Sequence, residues 1–184
     1  MSRERRIYEE MGVKPMINAA GNQTVLGGSR LSPIVREAME DANRYFVNME
    51  EMLKRSGEVI AEILGAEGAV VTSGCASALA LSSAACMAGS DAEKMERLPD
   101  TTGMKNEFLI QNRQRYKYDR CLTIFGGKLV EVGDENGTTA EQLEAAIGER
   151  TAALHYFAPG GGKGVVPFEE ASRIGNTHGV PVIV

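Results

Sequence analysis

The stretch GAVVTSGCASALALSSAACMA, residues 68–88, changes character at its middle. Gly68 to Thr72 is a short β-branched, apolar run of the kind that fills a buried strand. Ser73-Gly74 reads as a turn. From Cys75 to about Ala88 the residues are small and unbroken by proline, which suits a helix. A strand that passes through a glycine turn straight into a helix is the repeating unit of α/β architecture. At such a helix start the first backbone N–H groups have no intrahelical acceptor and point outward, where the macrodipole favours an anion. The small side chains let a phosphate approach the backbone, and Ser73 and Ser77 can add hydroxyl donors. A tight connection with Ala and Ser chosen for packing alone would carry the same pattern.

Working outward, the same alternation recurs. Upstream, Ser32-Pro33 reads as an N-cap followed by the first helical position, and Val35, Met39, Ala42 and Phe46 continue one apolar face. A second helix is expected over Met49 to Leu64, with Leu53, Ile60, Ile63 and Leu64 inward and Gly65 as its left-handed stop. Downstream, Gly89 to Asn106 reads as an irregular surface excursion. Glu107 to Ile110 reads as a strand, followed by a helix carrying Tyr118, Leu122 and Phe125, then a strand over Lys128 to Val132. Thr138 or Thr139 should cap the next helix through a capping box with Glu141 or Gln142. Thr151 to Phe157 is a strand, Phe168 to Thr177 a helix closed by Gly179, and Val180 to Val184 the opening of another strand. The fold class is therefore α/β, a mostly parallel sheet with helices on both faces. The chain stops inside that last apolar run, which reads as truncation within a sheet and carries the risk of an exposed apolar edge.

The composition bounds the partners. With 20 Lys+Arg against 25 Asp+Glu, the net charge is −5, and no overall basic field exists to wrap a nucleic acid. The N-terminus is charged and lacks an apolar signal core. No window approaches the ~18 apolar residues of a membrane span. A cytoplasmic setting without membrane or nucleic-acid partners is expected. Three cysteines with no CxxC pair suggest neither a disulfide framework nor a zinc cluster.

Other candidates for chemistry are weaker. Cys75 at a helix start could carry a lowered thiol pKa, but no arginine closes an anion loop before Gly89, and a packed small hydrophobe is the better reading. Gly160-Gly161-Gly162-Lys163-Gly164 fails as a Walker loop, because Phe157 stands where the first glycine belongs and Gly164 where the Ser/Thr belongs. A flexible connection with a solvated Lys163 is expected there. His155 and His178 assemble no triad or metal set. The run Arg113 to Arg120 concentrates cations and aromatics just after a strand, where α/β folds place ligand contacts, although a solvated helix start would look the same.

Taken in order, the segments form a recognisable series. They are Ile17-Asn18-Ala19-Ala20-Gly21, the Thr72 to Ser77 turn, Leu98 to Glu107, Arg113 to Asp119, Gly127 to Gly133 and Gly179 to Val184. Together they resemble the pyridoxal-phosphate (PLP) enzymes of fold type I related to selenocysteine synthase, nearest to the D-glucosaminate-6-phosphate ammonia-lyase type. The resemblance implies part of an aspartate aminotransferase-like large domain, with residues 1–48 as an N-terminal segment and arm and 49–184 as the first part of the cofactor domain. It implies that Ser73, Gly74, Cys75, Ala76 and Ser77 form the cofactor phosphate cup, and that Asn18 and Arg115 lie near the substrate, with Arg115 facing an anionic group. In such enzymes the cofactor aldehyde forms a Schiff base with a lysine and the ring serves as an electron sink. The pyridinium carboxylate and that lysine are expected beyond Val184, so no catalytic residue is assigned within the chain, and Lys163 does not substitute because it precedes the carboxylate strand. The resemblance implies a small phosphorylated amino-acid or amino-sugar-acid substrate, α,β-elimination of ammonia, and a homodimer for the full-length enzyme. Selenium transfer on seryl-tRNA and a non-catalytic anion-binding fragment are the alternatives.

Overall fold

The structure, a computed structural model, describes residues 3–184, with side chains from Ile7 onward. It divides into two compact units, 1–69 and 70–184. Among the described residues, no helix is long and apolar enough to cross a membrane.

The first unit is helical: α1 (Arg3–Glu10), α2 (Pro33–Ala42) and α3 (Met49–Leu64). The boundaries of the last two follow local chemistry. The Ser32 hydroxyl accepts the Val35 N–H in front of a proline at the helix start. Asn48 accepts the N–H groups of Glu50 and Glu51 at 2.9 and 3.1 Å, and Gly65 closes α3 with φ 64°. The expected inward stripe is only partly realised. Ile60 is half-buried, whereas Leu53, Ile63 and Leu64 are exposed. The described part of this unit has no strand, so the stripe has no sheet layer against which to bury. Val35 and Met39 are exposed as well, and α2 ends before Phe46.

The second unit is built on a parallel sheet of β1 (Glu107–Gln111), β2 (Lys128–Val132), β3 (Thr151–His155) and β4 (Val182–Ile183) in the order β2-β1-β3-β4. Its helices are α4 (Cys75–Ala88), α5 (Ala92–Arg97), α6 (Ala140–Ala145) and α7 (Phe168–Thr177). Side-chain alternation along the strands separates two cores. Leu109 and Leu154 point to one face and pack with Leu143 of α6 and with Ala171 and Ile174 of α7. Phe108 and Ala153 point to the other and pack with Leu79 and Met87 of α4 and with Leu122. Helical structure thus covers both faces, as the pattern required. Thr139 and Gln142 form the expected capping box, and Gly179 follows α7 with φ 62°.

Three expectations fail. Gly68 to Thr72 is not a strand: it pairs with neither edge of the sheet, and Val70 and Val71 are exposed. Without a partner, an extended segment has no ladder. The expected helix after β1 is replaced by two short 3-10 turns, Asn112–Gln114 and Asp119–Thr123. Between them Arg115 is extended, and the Asp119 carboxylate accepts the Tyr116 N–H at 3.2 Å, a local bond that competes with helix continuation. The excursion Gly89 to Asn106 contains α5, capped by Asp91, and ends inside the protein, with Met104 and Asn106 buried.

Candidate functional site

The start of α4 has an unusual backbone. Gly74 adopts φ 153° and ψ 174°, a region open almost only to glycine. The first helical bond runs from the Ala78 N–H to the Gly74 carbonyl at 3.0 Å, which leaves the Cys75, Ala76 and Ser77 amides without an intrahelical acceptor. The Ser73 and Ser77 hydroxyls lie 2.8 Å apart, and the Thr72 hydroxyl donates to the Gly74 carbonyl at 3.0 Å. Residues 73–76 are exposed. All five sequence-predicted cup residues therefore converge on one open turn with several donors and no side-chain cap, a cradle suited to an anion.

The segment after β1 lies on the α4 side of the sheet, where Cys121 and Leu122 share a core with Leu79 of α4 and with Ala153 of β3. The Tyr116 phenol is pushed up in pKa, first by burial and then by the charges of Cys75, Asp119 and Cys121. Its ring stacks on Phe157, with centroids 4.1 Å apart and planes 11° apart, and on His155 at 5.7 Å. His155 and Phe157, two residues apart at the end of β3, present one face. His155 is buried, and its ring nitrogens lie 3.2 Å from the Ile183 carbonyl and 3.2 Å from the Tyr116 hydroxyl. Burial lowers its pKa more than its partners raise it.

The cationic run splits into roles that composition does not reveal. The Arg113 guanidinium donates to the carbonyls of Lys163 and Glu135, each at 2.9 Å. Arg115 is paired with both Asp119 and Glu131, which hold its pKa up; an anionic ligand there would compete with two carboxylates. Asn18, in the first unit, caps its own turn: it accepts the Ala20 N–H and donates to the Gly21 carbonyl at 2.9 and 2.8 Å. His178 pairs with Glu144 at 2.8 Å.

Sequence reasoning missed the glutamines. Gln111 and Gln114 are buried. Gln111 accepts the Val166 N–H at 2.6 Å and donates to the Val166 carbonyl at 3.2 Å, while Gln114 makes the same reciprocal pair with the Phe157 backbone at 3.4 and 3.3 Å. Together with Arg113 they anchor both ends of the glycine-rich loop 158–164, expected to be a flexible connection. That loop also packs tightly at Gly137, where an added Cβ would meet the Gly164 carbonyl at 2.1 Å. The available signal was a polar run, Gln111 to Arg115, placed directly after the apolar Phe108-Leu109-Ile110. Cys75 is exposed rather than packed, Cys86 is half-buried with its thiol pKa raised by burial, and Cys121 is buried.

No protein-family profile matches the chain. Individual relatives do. It is 39% identical to a 5'-C-glycyluridine monooxygenase-decarboxylase from Streptomyces, over 96% of this chain and 46% of that protein. It is 33% identical to the D-glucosaminate-6-phosphate ammonia lyase of Salmonella typhimurium, over 97% of this chain and 50% of the lyase. An L-seryl-tRNA(Sec) selenium transferase from Moorella thermoacetica is 29% identical over 96% of this chain and 39% of the transferase. A solved D-glucosaminate-6-phosphate ammonia-lyase structure superposes with a TM-score of 0.89 at 32% identity, over 96% of this chain and 49% of that one. The chain is thus homologous along nearly its whole length to enzymes that include this lyase and the selenium transferase, and it spans half or less of the length of those relatives.

Proposed function

We propose that this chain supplies the phosphate-binding part of a PLP-dependent lyase or transferase acting on an amino-acid-like substrate, with residues 49–184 belonging to the cofactor domain. The observation that carries the proposal is the start of α4: a glycine-only backbone, three amides without helical acceptors and two serine hydroxyls, beside an aromatic stack. These residues fit the phosphate end of the cofactor. The amides and the Ser73 and Ser77 hydroxyls would hold its phosphate, and the helix dipole would favour the dianion. When bound, the cofactor would supply an electron sink for a carbanion next to nitrogen. The names of the relatives support the substrate class, since glycyl, glucosaminate and seryl groups each carry an amino group next to a carboxyl or acyl carbon. Elimination of ammonia from a phosphorylated amino sugar acid is the reaction favoured within that class. The Schiff-base lysine is placed outside this chain, and the complete enzyme is proposed to act as a homodimer in the cytoplasm.

The test is a PLP titration of the 184-residue chain followed by absorbance, then borohydride reduction and peptide mapping. Saturable binding that inorganic phosphate competes away, without a lysine adduct, is the expected result. Gly74→Ala should weaken it about tenfold, because the alanine is strained at that φ and the turn must rearrange. A single lysine trapped by borohydride would overturn the placement of the lysine and implicate Lys163. Absence of binding would overturn the cup.

A further inference from the structure

The Tyr116–His155 contact has a direction. The Ile183 carbonyl can only accept, so the His155 Nδ1 that faces it at 3.2 Å carries the ring proton. Burial holds the imidazole below its ordinary pKa, so Nε2 keeps its lone pair. The Tyr116 hydroxyl, 3.2 Å from Nε2, must then donate to it, which commits the phenol proton inward. Phe157 stacks flat on the Tyr116 ring and limits its rotation. The phenol oxygen is left with acceptor capacity only, on a side chain that is half-buried. The neighbouring Arg115 is committed to Asp119 and Glu131, and Asp119 also accepts the Tyr116 N–H.

We infer that His155 and Tyr116 form a positioning pair at the mouth of the cup, in which His155 takes the hydroxyl proton and the Tyr116 oxygen accepts a hydrogen bond from a protonated amine of the bound ligand. His155 acts through Tyr116 and touches no ligand itself. The inference rests on the cup reading for the location of that ligand. The phenol does not donate to the phosphate, which is left to Ser73, Ser77 and the amides.

Two measurements test it. In the ligand-free chain, 15N NMR of the histidines should show one imidazole as the Nδ1–H tautomer, with an Nε2 shift that moves in Tyr116→Phe. An Nε2–H tautomer for His155 would overturn the pairing whatever the cup binds. The second measurement compares affinities for pyridoxamine 5'-phosphate, which carries the amine, and 4'-deoxypyridoxine 5'-phosphate, which lacks it. The chain should prefer the amine by about fivefold or more, as expected for one hydrogen bond. The preference should vanish in Tyr116→Phe and His155→Leu and return in His155→Gln, whose amide oxygen can accept the same hydroxyl proton. Binding of both probes with an unchanged preference in Tyr116→Phe would overturn this inference and leave the cup standing. Failure of both probes to bind the unaltered chain would overturn the two together.

Discussion

Replacing Gln111 with Met isolates what the buried glutamine does, because the two side chains are close in length and volume. Gln111 is 2% exposed and its partner Val166 4%. The substitution leaves no sizeable cavity, so the cost comes from polar groups. The Val166 N–H loses an acceptor at 2.6 Å and its carbonyl loses a donor at 3.2 Å, at a place closed to solvent. A buried group left unpaired costs about 1–3 kcal/mol. The two groups together predict a loss of about 2–6 kcal/mol, or a fall of roughly 4–24 °C in the unfolding midpoint for a chain of this size. Thermal unfolding followed by circular dichroism reads the global effect, and hydrogen exchange at the Val166 amide reads the local one. The same substitution at exposed Gln23 should change stability by less than about 0.5 kcal/mol. If Gln111→Met matches the parent in midpoint and keeps the Val166 amide protected, the clamp is not what holds the glycine-rich loop, and the reasoning fails.

Gly57 lies mid-helix in α3, where alanine ordinarily gains about 1 kcal/mol, yet a Cβ there would sit 2.3 Å from the Ala69 carbonyl oxygen. Gly57→Ala should therefore destabilise the chain in urea, and a gain in midpoint would refute the close approach. A pH dependence comes from His155. Its imidazole is depressed below the usual value of about 6.5, so the unfolded chain binds the extra proton first. The stabilisation from the neutral, paired ring is complete above that value and is lost as pH falls through the lower, folded one. The destabilisation caused by His155→Gln should accordingly be smaller at about pH 5.5 than at about pH 7.5; equal penalties at both would show that the ring does not titrate as argued.

The fold was legible where one element's own residues decide it. Ser32-Pro33, Asn48 and Gly65, and Thr139 with Gln142 each carry their cap within a few positions, and α3, α4, β2 and α7 begin and end where those signals and the apolar period place them. It was not legible where the deciding partner is far along the chain. Val70 and Val71 have the composition of a strand, but a strand also needs a neighbouring backbone, and no local pattern reports whether one is there. The helix expected after β1 gave way to the Asp119 bond to the Tyr116 N–H, and the bonds of Gln111 and Gln114 to Val166 and Phe157, 55 and 43 residues away, are of the kind that no local pattern reports.

The candidate site divides along the same line. The proposed cup rests on features that sequence can show: its donors are consecutive amides and two serines four residues apart, and a glycine announces the turn. Arg113 and Arg115 were grouped as one cationic run, yet the first donates to two carbonyls and the second to two carboxylates. A guanidinium offers five donors in a planar fork, and sequence does not say whether those donors meet a ligand or the protein's own backbone. His155 shows the converse. As a lone histidine in an apolar strand it looked inert, and only the carbonyl on one side and the phenol on the other give its ring a proton direction. The residues proposed to act at this turn are those whose hydrogen-bonding capacity remains after the fold has used its share: the amides of 75–77, the two serines and the oxygen of Tyr116.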